Sequence, residues 1–126
     1  MDASEKLYYS LGKLCYVMAC ADGEVQSEEI DKLEDIVKEK IESGHLDGAY
    51  TEIIFKVLES KDQDPKTAYD IAMKNFENLS YYFTDDLKTR FLRVLREMAE
   101  AFPPNTTDEA SLYYKIKTKF DALSNE

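Results

Sequence analysis

Apolar residues recur at helical spacing along almost the whole chain, and no stretch shows the strict alternation of a half-buried strand. Leu7, Leu11, Leu14, Met18 and Ala21 repeat at steps of four and three, a stripe that Tyr8 and Cys15 widen. They predict a first helix over about Ser4–Ala21. The second, about Glu28–Glu42, sets Ile30, Leu33, Ile36, Val37 and Ile41 on one face and Glu34, Asp35, Lys38 and Glu39 toward water. A glycine-punctuated loop, Ser43–Gly48, leads to a third helix, about Ala49–Ser60, that buries Tyr50, Ile53, Ile54, Val57 and Leu58. Asp64 as N-cap with Pro65 at the first helical position starts a fourth, with Ala68, Ile71, Ala72, Phe76 and Leu79 inward. After the aromatic connection Ser80–Phe83, Thr84 caps a fifth helix, about Asp85–Ala101, striped by Leu87, Phe91, Val94, Leu95 and Met98. Pro103 and Pro104 end it, and Thr106 with Glu109 offers a capping box for a sixth helix carrying Leu112, Tyr113, Ile116, Phe120 and Leu123. The expectation is an all-α fold: a single domain, 1–126, built as a bundle of about six helices.

A faint internal repeat sharpens that picture. At an offset of 80, Leu7/Leu87, Met18/Met98, Ala19/Ala99, Ala21/Ala101, Glu29/Glu109 and Ile36/Ile116 are identical. These are core and cap positions, where a duplicated helix pair would keep them. Residues 7–36 are therefore expected to resemble 87–116, with the first and fifth helices central and Ala19 and Ala99 allowing their close approach.

Charge then narrows the partners. The chain has 26 acidic and 16 basic residues, a net charge of −10. That surface disfavours nucleic acid, whose phosphates need Lys and Arg, and disfavours anionic membrane surfaces. It suits cations and basic partners. The imbalance is uneven: residues 1–63 have 15 acidic and 7 basic groups, whereas 64–126 have 11 and 9. Cys15 and Cys20 lie five apart on one predicted helix, about 140° apart around its axis, so they are not expected to pair. Unpaired buried thiols, no visible signal peptide and no apolar run of membrane-spanning length give the expectation of a cytoplasmic protein without direct membrane insertion.

The rest is organised around Met18–Ile30. Asp22 and Gly23 break one amphipathic run, and Ser27 is placed to cap the next. Gly23 suits a helix C′ position with positive φ, Val25 would plug the loop into the core, and Glu28 and Glu29 fall where the helix dipole favours negative charge. Ala21–Ile30, reading Ala-Asp-Gly-Glu-Val-Gln-Ser-Glu-Glu-Ile, resembles the signature of the tellurite-resistance TerB and TerB-like domains. The resemblance implies an all-helical bundle, a link to metal or oxyanion stress, a divalent-cation role for acidic positions, and no established enzyme activity.

Read as chemistry, Asp22, Glu28 and Glu29 are the candidate metal residues, for calcium or magnesium. The segment matches the back half of a calcium loop, but Met18 and Cys20 stand where the front half needs acidic ligands, so it is not an EF-hand. The plainer reading makes Asp22 a turn residue and the glutamates helix openers. His45, the only histidine, has no zinc pattern around it and reads as a loop residue. Arg90, Arg93 and Arg96 read as a solvated face, with a phosphate or acidic-partner site as the alternative. Tyr81, Tyr82 and Phe83 read either as the capped end of the bundle or as a partner-binding patch.

No catalytic set emerges, so no enzyme is expected. The first expectation is a TerB-like stress-response domain that binds a cation weakly at the hinge. The alternative is an interaction module whose acidic second helix docks a basic protein partner, the hinge being structural. A protein partner, basic or membrane-associated, is expected in either case.

Overall fold

The computed structural model describes residues 1–21, 27–60, 63–101 and 107–123. Its elements are α1 (Ala3–Ala19), α2 (Ser27–Glu42), a 3-10 turn (Gly48–Tyr50), α3 (Thr51–Glu59), α4 (Pro65–Asn78), α5 (Asp85–Ala101) and α6 (Thr107–Ala122). The fold is an all-α bundle, with no strand among the described residues.

Local signals explain most helix starts. A capping box opens α1: Asp2 Oδ1 accepts from the Glu5 N–H at 2.8 Å, and Glu5 Oε1 accepts from the Asp2 N–H at 3.0 Å. Asp64 caps α4 through the Thr67 N–H, with Pro65 directly after it. Thr84 Oγ1 accepts from the Leu87 N–H at the start of α5. Some expectations shift. α1 ends at Ala19, two residues early, because the Cys20 N–H already bonds back to the Tyr16 and Val17 carbonyls. Ser27 is the first helical residue of α2 rather than its cap, the usual one-residue ambiguity at a helix end. The third helix splits into a 3-10 turn and α3, because Asp47 takes the Ala49 N–H and starts the tighter turn first. The predicted geometry of Gly23 and Val25, the prolines 103 and 104 and the Thr106 half of a capping box lie outside the described residues.

At the centre, α1 packs against α3, α4, α5 and α6. Gly12 is what lets α3 come close: a Cβ there would lie 3.2 Å from Val57 Cβ. Ser10, fully buried, donates to the Lys6 carbonyl at 2.7 Å and accepts from Asn75 Nδ2 at 3.0 Å, so its own hydroxyl is satisfied and ties α1 to α4. The core is aromatic at its heart. Phe76 stacks on Phe83 with ring centroids 4.7 Å apart, and Phe120 meets both edge-on at 4.9 Å. Phe91 meets Tyr8 at 5.1 Å, and Tyr8 stacks on Tyr50 at 4.5 Å. Ile71, expected inward, is exposed, since Ala68, Ala72, Met73 and Phe76 fill the α4 face toward the core.

At the repeat's offset the helix ends agree for one pair and not the other, since α1 shifted by 80 would run 83–99 against Asp85–Ala101 for α5. Shifted by 80, the ends of α2 coincide with those of α6. α1 and α5 pack against each other; Ala19 is buried and Ala99 partly buried against the core. The second helices differ in partner: α2 packs on α3 and α5, whereas α6 packs on α5 and α1.

Candidate functional site: the hinge and outer face of α2

Of the three candidate metal residues, Asp22 lies outside the described residues. Glu28 is exposed and Glu29 half-buried, both in the first turn of α2, where the unpaired N–H groups favour anions. They are consecutive, so their side chains diverge by about 100° around the helix. A hard cation collects six or more oxygens, and two diverging carboxylates do not supply such a set. Among the described residues no group of three His, Cys, Asp or Glu side chains comes together to hold a metal.

What α2 does present is a continuous acidic face. Glu28, Asp31, Asp35, Glu39 and Glu42 follow one another at steps of three, four, four and three, and all are exposed. The opposite face buries Ile30, Leu33 and Val37. Beside the stripe, the Glu34 carboxyl has its pKa raised, first by partial burial and then by the negative charge of Glu59 on α3. The helix is fixed to α5 by Lys40, whose Nζ lies 2.6 Å from Glu97 Oε1 and 3.3 Å from Glu39 Oε2. Burial opposes the Lys40 charge, but the hydrogen bonds with Glu97 and Glu39 outweigh it and raise its pKa.

The loop after α2 is tied down as firmly. Gly44 has φ of 81° and is the one positive-φ residue among those described. Its carbonyl accepts from Arg90 Nη1 at 2.9 Å. Arg93 Nη1 lies 2.7 Å from His45 Nε2, and His45 Nδ1 lies 2.7 Å from Ser43 Oγ. A guanidinium only donates, so His45 Nε2 accepts and its proton sits on Nδ1, donated to Ser43. Tyr8 closes the other side: its hydroxyl accepts from the Asp47 N–H at 3.2 Å, and burial pushes its pKa up. His45 was legible as a loop residue, but the ties of Arg90, Arg93 and Tyr8 to this loop were not, because they join residues 46, 48 and 39 positions apart.

The other candidates resolve into structure. Arg90 also pairs with Asp86 at 2.9 Å, and Arg96 with Glu100 at 3.1 Å, so the α5 arginines serve helix and loop contacts. Cys15 is buried and Cys20 half-buried, and neither forms a disulfide among the described residues. Burial pushes the Cys15 thiol far above the ordinary cysteine value, which makes it a poor nucleophile. The aromatic connection divides: Phe83 is core, whereas Tyr81 and Tyr82 are 68% and 56% exposed and touch edge-on. No helix among the described residues is long and apolar enough to cross a membrane.

Fold and site together define an acidic all-α bundle with one densely carboxylated helix face. No protein-family model, curated protein or solved structure matches the chain. The TerB-like resemblance therefore stands on the motif at Ala21–Ile30.

Proposed function

We propose that this chain is a non-enzymatic interaction domain whose α2 outer face docks a basic protein partner. One observation carries the reading. The stripe Glu28, Asp31, Asp35, Glu39, Glu42 is exposed, whereas the residues 80 positions on are Asp108, Ser111, Lys115, Lys119 and Ala122, one acidic residue in five. The helix at the corresponding sequence positions forms without four of the five carboxylates, so the stripe, apart from the pairing of Glu39 with Lys40, is not needed to form the helix. Like charges at such spacing are mildly unfavourable for a helix, which a basic partner would relieve. The test is binding of an Arg/Lys-rich helical peptide to the full chain. Asp31→Asn/Asp35→Asn/Glu42→Gln should abolish salt-sensitive binding, and the equal neutralisation Asp70→Asn/Glu77→Gln/Asp121→Asn should not. Equal loss from both triples would reduce the effect to bulk charge and defeat the proposal.

The hinge supports a second reading: a TerB-like stress-response domain taking calcium or magnesium weakly at Asp22, Glu28 and Glu29. Its support is the Ala21–Ile30 motif and the placement of both glutamates in one helical turn. Calorimetric titration with Ca²⁺ and Mg²⁺ tests it. Heat lost in Asp22→Asn supports the reading, and no heat with either ion rejects it.

A further inference from the structure

The α1–α3 seam opens on its outer side into a groove of about 320 Å³, lined chiefly by Tyr9, Lys13, Ile53, Lys56, Val57 and Gln63. Its size falls at the lower end of the range of small-ligand sites. The walls combine an apolar strip with two ammonium groups. Lys13 is held in place by neutral partners: its Nζ donates to Gln63 Oε1 at 2.9 Å and stands 5.1 Å from the Tyr9 ring centroid. Gln63 is itself fixed, because its Nε2 donates to the Val57 carbonyl at 2.7 Å and the Ser60 carbonyl at 2.8 Å. The amide thus has its oxygen committed to Lys13, and its hydrogens cover carbonyls that would otherwise repel an anion. Among the described residues Lys56 pairs with Glu52, one turn away on the same surface, at 3.2 Å. Exposed pairs of that kind are worth little and exchange readily.

The contrast with the rest of the molecule is what gives the groove meaning. In a chain of net charge −10, Lys13 has no carboxylate partner among the described residues, although it lies beside an apolar wall. We propose that this groove binds a small amphipathic carboxylate. Its carboxylate would lie between Lys13 and Lys56, and its aromatic or branched aliphatic body would lie on Ile53, Val57 and Tyr9. Neither α2 nor the hinge takes part, so the proposal stands or falls separately from the function proposed above.

The test is an NMR titration of the full chain with 4-phenylbutyrate, using 4-phenylbutanol, 4-phenylbutylamine and inorganic phosphate as controls. The carboxylate should shift the backbone amides of Tyr9, Lys13, Val57 and Gln63 along one saturating curve. Lys13→Gln and Lys56→Gln should each weaken that curve by about tenfold, near 1.4 kcal/mol. Lys56→Gln should keep the melting temperature of the parent, since Lys56 is exposed, and so carries the test if the half-buried Lys13 variant is destabilised. The alcohol and amine should bind more weakly than the carboxylate, and phosphate should not saturate. Equal binding of the alcohol would make the groove merely apolar. Saturation by phosphate would make it merely cationic. Absence of a saturating curve, or curves unchanged in both lysine variants, would also overturn the proposal.

Discussion

α1 and α5 bury several corresponding positions, whereas α2 and α6 bury largely different ones and present different surfaces. In α1, Leu7, Tyr8, Leu11, Leu14, Cys15 and Met18 are buried; in α5, shifted by 80, Lys88, Phe91, Val94, Leu95 and Met98 are buried and Leu87 is partly so. Even the exception corresponds. Tyr8 and Lys88 occupy equivalent sites, and each sends a polar tip to backbone just past a second helix. Tyr8 takes the Asp47 N–H, and Lys88 Nζ donates to the Leu123 carbonyl at 2.9 Å. The outer surfaces diverge: α2 has seven acidic and three basic residues, whereas Thr107–Ala122 has three of each. Packing constrains the inner register because a shifted side chain leaves a void or a clash. Packing constrains the outer faces far less, and under the proposed function their difference reflects what each surface meets.

If the inner register is shared, breaking it should be equally severe in both halves. Leu11→Ala and Phe91→Ala remove fully buried side chains at equivalent positions and should each cost about 3–5 kcal/mol in urea unfolding. A cost near zero for either would break the correspondence.

The polar ties come next in size. Glu97→Ala leaves Lys40, 5% exposed, without its nearest carboxylate and should cost about 2 kcal/mol. Lys40→Met, which removes the charge and keeps the stem, should cost much less. Equal costs would mean that the pair contributes net attraction rather than avoiding a stranded charge. Gly44→Ala should cost about 1 kcal/mol, because its φ of 81° strains any residue with a Cβ, although open space surrounds the position. No loss there would mean that the loop relaxes into another turn.

A smaller effect separates the α2 surface from its partner helices. The Glu34 pKa is raised in the folded state, so the folded chain binds that proton more tightly than the unfolded one. Stability from this group is therefore lost as pH rises from the ordinary carboxylate value through the folded one. Glu34→Gln should raise the melting temperature at neutral pH, and the gain should fade on acidification toward that ordinary value. A gain independent of pH would contradict the charge explanation.

These contrasts also explain what the sequence revealed. Helix number, type and most boundaries follow from period and caps, signals carried within a few residues, as at Asp64–Pro65 and Thr84. Ile71 misled because a helical stripe is wider than the face one neighbour covers. Lys40–Glu97, Tyr8–Asp47 and Arg93–His45 join residues 57, 39 and 48 positions apart, and no local pattern encodes such pairs. Of the site, the acidic bias of the second helix was legible, and Glu28 and Glu29 fall in its first turn as expected. The alignment of five carboxylates along its outer side emerged only once the buried face was known, and Asp22 lies outside the described residues.

The central claim is that the α2 stripe serves a partner and not the fold. It is tested most directly by measuring, in one preparation of Asp31→Asn/Asp35→Asn/Glu42→Gln, both unfolding free energy and affinity for an Arg/Lys-rich helical peptide. The account predicts stability within about 0.5 kcal/mol of the parent, or slightly above it, together with loss of salt-sensitive binding. A variant that binds as the parent does, or one that loses binding only because it unfolds, would contradict it.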